Sequence, residues 1–131
     1  TDRQVYTRFA DTLGFPIVAL ELTDPDFYHL DTCLCPLDEE TALYYPGAFT
    51  EEGIAAIRQH FRRVIEAPEA DARERFACNA HSPDGRHVLI QKGCMDTNRL
   101  LRAAGFEPVE LDTSEFLKSG GSVFCMKLMF W

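Results

Sequence analysis

The chain has 131 residues, 46% of them apolar and 26% charged, with ten Phe, four Tyr and one Trp. This composition excludes disorder as the main state, and the length suits one domain with a sizeable core. Thirteen basic against twenty-one acidic side chains give a formal charge of −8, which argues against nucleic acid as a partner because phosphate binding needs a basic face.

Thr1-Asp2-Arg3-Gln4 runs directly into a helical pattern, with Val5, Phe9 and Leu13 at i, i+4 and i+8 and Gly14 placed to end it. The chain does not open on Met, so we expect a piece of a longer protein, its missing N-terminal half being the first partner. No basic-then-apolar leader precedes the helix and no apolar run approaches the ~18 residues of a membrane span, so neither secretion nor a membrane is expected. The five cysteines (Cys33, Cys35, Cys78, Cys94 and Cys125) are an odd number. Without a leader, they suggest reduced thiols and a cytoplasmic setting.

Residues 16–22 read as a buried strand, Asp24-Pro25-Asp26 as a turn, and residues 27–35 as a second strand. A third strand spans residues 41–45 and stops at Pro46-Gly47. Thr50 can N-cap a helix whose first turn carries Glu51 and Glu52 and whose apolar stripe is Ile54, Ile57 and Phe61. Val64-Ile65 is a short strand, residues 69–76 a short helix, and residues 77–80 an apolar strand. After the turn Ser82-Pro83-Asp84-Gly85 come a strand at residues 88–90 and a helix from Asp96 or Thr97 that points Leu100, Leu101 and Ala104 inward. A strand at residues 108–111, a short helix at residues 113–118, a break at Ser119-Gly120-Gly121 and a long strand over residues 122–131 complete the pattern. The fold class is α/β. A ββαβ unit recurs between residues 27–66 and 76–111, a repeat of ~35–40 residues, and such units bury their faces by stacking on neighbours.

Three places could carry chemistry. Cys125 follows the Gly120-Gly121 break, where the backbone can bend and let a ligand approach. It is either a nucleophile, given something to make it a thiolate, or a structural thiol between Phe124 and Met126. His29 and Asp31, at i and i+2 of a strand, would share one face and could divide proton transfer and cation binding; the alternative is a satisfied pair. Cys33-Leu34-Cys35 could seed a metal site, but no paired C-x-x-C accompanies it, and small core residues are the plainer reading. No metal and no cofactor is expected. His60, His81 and His87 read as solvated groups at turns or helix ends. The phosphate-loop, dinucleotide and serine-hydrolase signatures are missing.

Taken in order, Phe27-Tyr28-His29-Leu30-Asp31-Thr32, Tyr44-Tyr45-Pro46, Phe76-Ala77-Cys78-Asn79-Ala80, Ser114-Glu115-Phe116-Leu117-Lys118-Ser119-Gly120-Gly121 and Cys125 resemble the guanidino-group-modifying enzymes. That superfamily holds arginine deiminases, arginine dihydrolases, dimethylarginine dimethylaminohydrolases and amidinotransferases. The likeness runs from Thr1 to Trp131 and is to the C-terminal half of the family fold. It implies a five-bladed fan of ββαβ units, the pentein fold, with two to three repeats present in residues 1–131 as a single domain.

The resemblance also implies roles. Cys125 would be the nucleophile, His29 the general acid and base, and Asp31 a carboxylate gripping the guanidinium, with Gly120 and Gly121 beside the substrate. The reaction implied is cysteine-dependent hydrolysis of a guanidino C–N bond in arginine or a derivative, through a covalent thiouronium. An amidinotransferase is the alternative, as is a non-catalytic module that kept the fold. The family's remaining guanidinium carboxylates lie upstream of the matched stretch, so this piece alone should be inactive. An Asp at position 31 is more typical of enzymes whose substrate is a bare guanidinium; many dimethylargininases carry Lys there. A small-molecule guanidino substrate is the expected ligand, and a homo-oligomer is left open.

Overall fold

In a computed structural model, residues 2–129 are described. Helix α1 (Arg3–Leu13) begins at Asp2, whose side chain accepts from the Gln4 N–H, and ends at Gly14, whose φ of 72° is the left-handed C-cap that glycine takes without cost. The next stretch, read as a strand over residues 16–22, forms no ladder. Its Leu20 and Leu22 side chains pack against the core, and its end is held by the Leu22–Phe49 bridge and the Thr23 N–H to Ala48 carbonyl bond.

A second correction falls on residues 27–35. The Asp24-Pro25-Asp26 turn is present, closed by Phe27 N–H to the Asp24 carbonyl. Beyond it the chain makes a 3₁₀ turn at Leu30–Thr32 before β1 (Leu34–Pro36). The cause is local: the His29 carbonyl accepts from the Thr32 N–H at 3.1 Å and the Thr32 hydroxyl at 2.6 Å. His29 and Asp31 therefore do not share a strand face.

Strand β2 (Thr41–Tyr44) is buried along its whole length. It pairs antiparallel with β1, Cys35 opposite Leu43, and parallel with β3 (Arg63–Glu66), Leu43 opposite Ile65. Helix α2 (Glu51–His60) crosses between β2 and β3; Thr50 Oγ1 caps it by accepting from Gly53 N–H at 3.1 Å. After α3 (Glu69–Arg75), strand β4 (His87–Gln91), helix α4 (Met95–Ala103) and parallel strand β5 (Glu107–Leu111) repeat the β2-α2-β3 order. Asp71, buried on α3, accepts from both the N–H and the hydroxyl of Thr97 at 2.8 Å and so caps α4 from a neighbouring helix.

Leu43, Tyr44, Val88, Ile90 and Leu101 are the large side chains at the centre of the core, each wholly buried. Leu100, expected inward, is 37% exposed, because Leu101 takes the inner face of α4. Residues 77–80 are not a strand. They form a buried turn, followed by the lone antiparallel bridge His81–Leu89.

The predicted final strand is also corrected. Helix α5 (Ser114–Leu117) leads through the glycines into one helical turn, α6 (Val123–Met126). The N–H groups of Ser122, Phe124 and Cys125 are all taken by Asn79, and so are not free for a ladder. Phe130 and Trp131 lie outside the described residues. Among the described residues no helix is long and apolar enough to cross a membrane.

Candidate active site

Asn79 organises the site. Its side chain is wholly buried. Its Oδ1 accepts from the Ser122 N–H at 2.8 Å and the Cys125 N–H at 3.4 Å. Its main-chain carbonyl accepts from the Phe124 N–H at 3.0 Å. These bonds fold the segment after Gly121 into a turn that leaves the Cys125 side chain at the surface, the one exposed thiol of the five.

Gly120 and Gly121 are needed where they stand. Gly120 has φ +79°, a conformation that L side chains rarely adopt, and the Tyr28 hydroxyl donates to its carbonyl. A Cβ at Gly121 would lie 2.9 Å from Cys125 Cβ and 3.3 Å from its sulfur. The break expected from sequence is thus a close approach of main chain to thiol.

Asp31 arrives from the 3₁₀ turn, half-buried. Cys125 Sγ donates to Asp31 Oδ2 at 3.2 Å, while Asn79 Nδ2 donates to the Asp31 carbonyl at 2.9 Å, to Oδ2 at 3.2 Å and to Cys125 Sγ at 3.3 Å. Partial burial, then the Asp31 carboxylate, push the Cys125 thiol above its ordinary pKa, against the pull of the Asn79 amide. Left to itself this sulfur keeps its proton. A cation placed on Asp31 would offset the carboxylate's share of that opposition, leaving the share due to burial and the pull of the Asn79 amide.

His29 lies exposed two residues before Asp31, its ring 4.9 Å from that of Tyr28. It lines a groove of about 1220 Å³ together with Tyr6, Val18, Leu20, Glu21 and Tyr28. Cys125 and Asp31 are not among the residues lining that groove. Tyr28 joins the two regions, one side in the groove and its hydroxyl on Gly120.

The other cysteines are core. Cys33 donates weakly to the Leu30 carbonyl and Cys35 to that of Ala80, and burial pushes the thiols of Cys33, Cys35 and Cys94 up to about 12. Among the described residues no group of His, Cys, Asp and Glu could hold a metal ion. His81 departs from its reading as a solvated group. It is half-buried, edge-on to Phe124, and accepts from Lys127 Nζ at 3.4 Å. In the sequence Asn79 stands out only as one residue of a motif; the signal for its role is a polar residue inside the apolar run Phe76-Ala77-Cys78-Asn79-Ala80, since buried amides need partners.

No family model matches the chain. It is 47% identical over 128 residues to an N(G),N(G)-dimethylarginine dimethylaminohydrolase of Mycobacterium tuberculosis, a match covering 98% of this chain and 42% of that protein. It is 38% identical over 121 residues to the bifunctional arginine dihydrolase/ornithine cyclodeaminase AgrE of a Nostoc species, covering 91% of this chain and 17% of that one.

The chain belongs to the guanidino-group-modifying superfamily.

Solved structures of the superfamily agree. A crystal structure of the N-terminal domain of ArgZ, a cyanobacterial arginine dihydrolase, covalently bound to a reaction intermediate, superposes with a TM-score of 0.86 at 35% identity, over 95% of this chain and 46% of that one. SxtG, an amidinotransferase of Microseira wollei, matches at 20% identity with a TM-score of 0.81 and shares the fold. The structural neighbours are pentein-fold proteins. This chain spans less than half the length of each of these relatives.

Proposed function

We propose that the chain carries the nucleophile-bearing part of a cysteine-dependent hydrolase that cleaves the guanidino C–N bond of arginine or an arginine derivative. The observation that carries this reading is the exposed Cys125 thiol bonded to the Asp31 carboxylate at 3.2 Å, with one buried amide reaching both. A guanidinium carbon is a poor electrophile, so a soft anionic nucleophile must meet a cation held in place.

The substrate's planar cation donates paired N–H groups to Asp31. Its charge replaces the thiol proton as Asp31's partner, and that proton leaves to solvent through the exposed side of Cys125. The thiolate adds to the guanidinium carbon and gives a tetrahedral adduct. His29 protonates the departing nitrogen, the C–N bond breaks, and ammonia or an amine leaves an S-alkylthiouronium. His29, now neutral, takes a proton from water. The hydroxide adds to the same carbon, the C–S bond breaks to restore the thiolate, and the added oxygen's proton passes to solvent as the neutral ureido product is released. Gly121 keeps the main chain clear of the sulfur, and Gly120 is fixed by Tyr28.

In this reading residues 1–131 form one domain, and β1-β2-α2-β3 with β4-α4-β5 are two units of a five-bladed fan whose other units lie elsewhere in the protein. Those units supply the opposing carboxylates and bring the His29 groove and Cys125 under one roof. The five cysteines, unpaired in the structure, suit the reducing cytoplasm expected for the chain.

The test is turnover by the intact protein. Arginine and dimethylarginine are supplied separately, citrulline, ornithine, ammonia and amine are measured, and Cys125→Ser is the blank. Product with wild type and none with the variant, plus a substrate-derived mass on the Cys125 peptide after acid quench, is the expected result. Turnover that survives Cys125→Ser overturns the reading.

A further inference from the structure

Resting on the reaction above, we infer that Asn79 is a positioning residue whose side-chain amide holds Asp31 and Cys125 in one arrangement and transfers a hydrogen bond from the carboxylate to the sulfur when the thiolate forms.

The argument is a count of hydrogens. A side-chain amide has two N–H bonds. Asn79 Nδ2 faces three acceptors: the Asp31 carbonyl at 2.9 Å, Asp31 Oδ2 at 3.2 Å and Cys125 Sγ at 3.3 Å. The first takes one hydrogen at the shortest distance. The second hydrogen is shared between carboxylate and sulfur, which are equally distant to within 0.1 Å. In the resting protein the thiol is itself a donor to Oδ2, so the amide hydrogen and the thiol hydrogen meet on one oxygen. A cation on Asp31 supplies that oxygen with new donors, and the thiolate becomes the better acceptor for the amide.

The amide cannot drift, because its other end is tied into a buried chain. Oδ1 accepts from the Ser122 N–H, the Ser122 and Thr113 hydroxyls lie 2.7 Å apart, and the Thr113 hydroxyl and N–H both donate to Gln91 Oε1 on β4. Asn79, Ser122, Thr113 and Gln91 are all buried. A buried network with its members satisfied is rigid, and here it anchors the nucleophile's turn to a core strand.

The readout is the pH profile of Cys125 alkylation by iodoacetamide in the intact protein, followed on the Cys125 peptide by mass spectrometry. Losing a hydrogen bond to a charged group lowers its population by roughly ten- to a hundredfold when buried, and less at this exposed sulfur. Asn79→Ala is therefore expected to move the alkylation midpoint upward and slow alkylation at pH 7 about tenfold. Its kcat should fall more than its KM changes. A role in folding alone would leave the midpoint in place and open the buried cysteines to the reagent. That outcome overturns the inference.

A wild-type measurement decides the matter if the variant does not fold. The Asn79 side-chain amide resonances should titrate with the same midpoint as Cys125 alkylation. Resonances that stay fixed through that midpoint overturn the inference. Both readouts are independent of turnover. A protein that hydrolyses no guanidino compound but keeps these shifts would refute the proposed reaction and leave Asn79's hold on the sulfur standing.

Discussion

Cys125 and Asp31 stand 94 positions apart, and the thiol of the first donates to the carboxylate of the second at 3.2 Å. The pairing opposes ionisation, since burial and the Asp31 charge both raise the thiol's pKa. Asp31→Asn keeps the shape and removes the charge. The alkylation midpoint of Cys125 should therefore fall, with alkylation at pH 7 faster by a fewfold, while KM for a guanidino substrate rises tenfold or more through the lost charge-assisted bonds, on the order of 1.5–3 kcal/mol. A midpoint that rises in this variant would show that Asp31 does not face the sulfur in solution.

His29 is assigned proton transfer at two steps. In His29→Ala both the departing nitrogen and the attacking water lose their proton carrier, so kcat should fall by about 10²–10⁴. The level of covalent adduct on Cys125 in an acid-quenched reaction should change from that of wild type, since its formation and its hydrolysis are both slowed. If neither kcat nor adduct level changes, His29 has no part in the chemistry.

Gly121 tests the space around the Cys125 sulfur, the proposed nucleophile. An added methyl would meet Cys125 Cβ at 2.9 Å, so the turn must shift by a good part of an ångström. Gly121→Ala should keep a cooperative thermal transition and lose about a hundredfold in kcat/KM, as a nucleophile displaced by about 1 Å does. Full activity would mean that the glycine is not required beside the sulfur.

Asp31 also bears on the choice of substrate. A bare guanidinium offers N–H groups at both terminal nitrogens, whereas a dimethylated nitrogen has none and brings two methyls against the carboxylate. An unmet carboxylate costs about 1–3 kcal/mol or more, so the intact protein should prefer arginine to dimethylarginine by kcat/KM. Product formation from each, compared side by side, decides it. A preference for dimethylarginine would place the methylated nitrogen away from Asp31.

Arg73 fastens the segment that leads to the site. Its guanidinium bonds Asp24, Asp26 and Glu69 and lies over the rings of Phe27 at 5.6 Å and Tyr45 at 5.5 Å. The Arg73 hydrogen bond holds the Asp24 carboxyl below its ordinary pKa. A carboxyl whose pKa is depressed by folding stabilises the fold above its unfolded value and loses that contribution as pH falls through its folded value. The melting temperature should therefore drop on acidification below about pH 4, and less steeply in Arg73→Ala, which starts lower. Equal slopes would remove Asp24 from the acid response.

The sequence by itself determined the elements whose signals are local. Asp2 and Gly14 bound α1, Thr50 caps α2 through the Gly53 N–H, and Gly85 takes φ +71° in the Ser82–Gly85 turn, all from chemistry within a few residues. It also marked Cys125, Asp31 and the two glycines as a group, through their order along the chain. What it misread were stretches taken for strands: residues 16–22, 77–80 and the described part of 122–131 form no ladder, and of residues 27–35 only the end does. An apolar run says that a segment is buried, and only hydrogen-bond partners decide whether it becomes a ladder. At Ser122, Phe124 and Cys125 those partners are the carbonyl and side chain of Asn79, more than forty positions away. Asn79 could occupy that place because a buried amide must satisfy its oxygen and both its hydrogens at once, and only the folded chain brings Asp31, Ser122 and Cys125 within its reach.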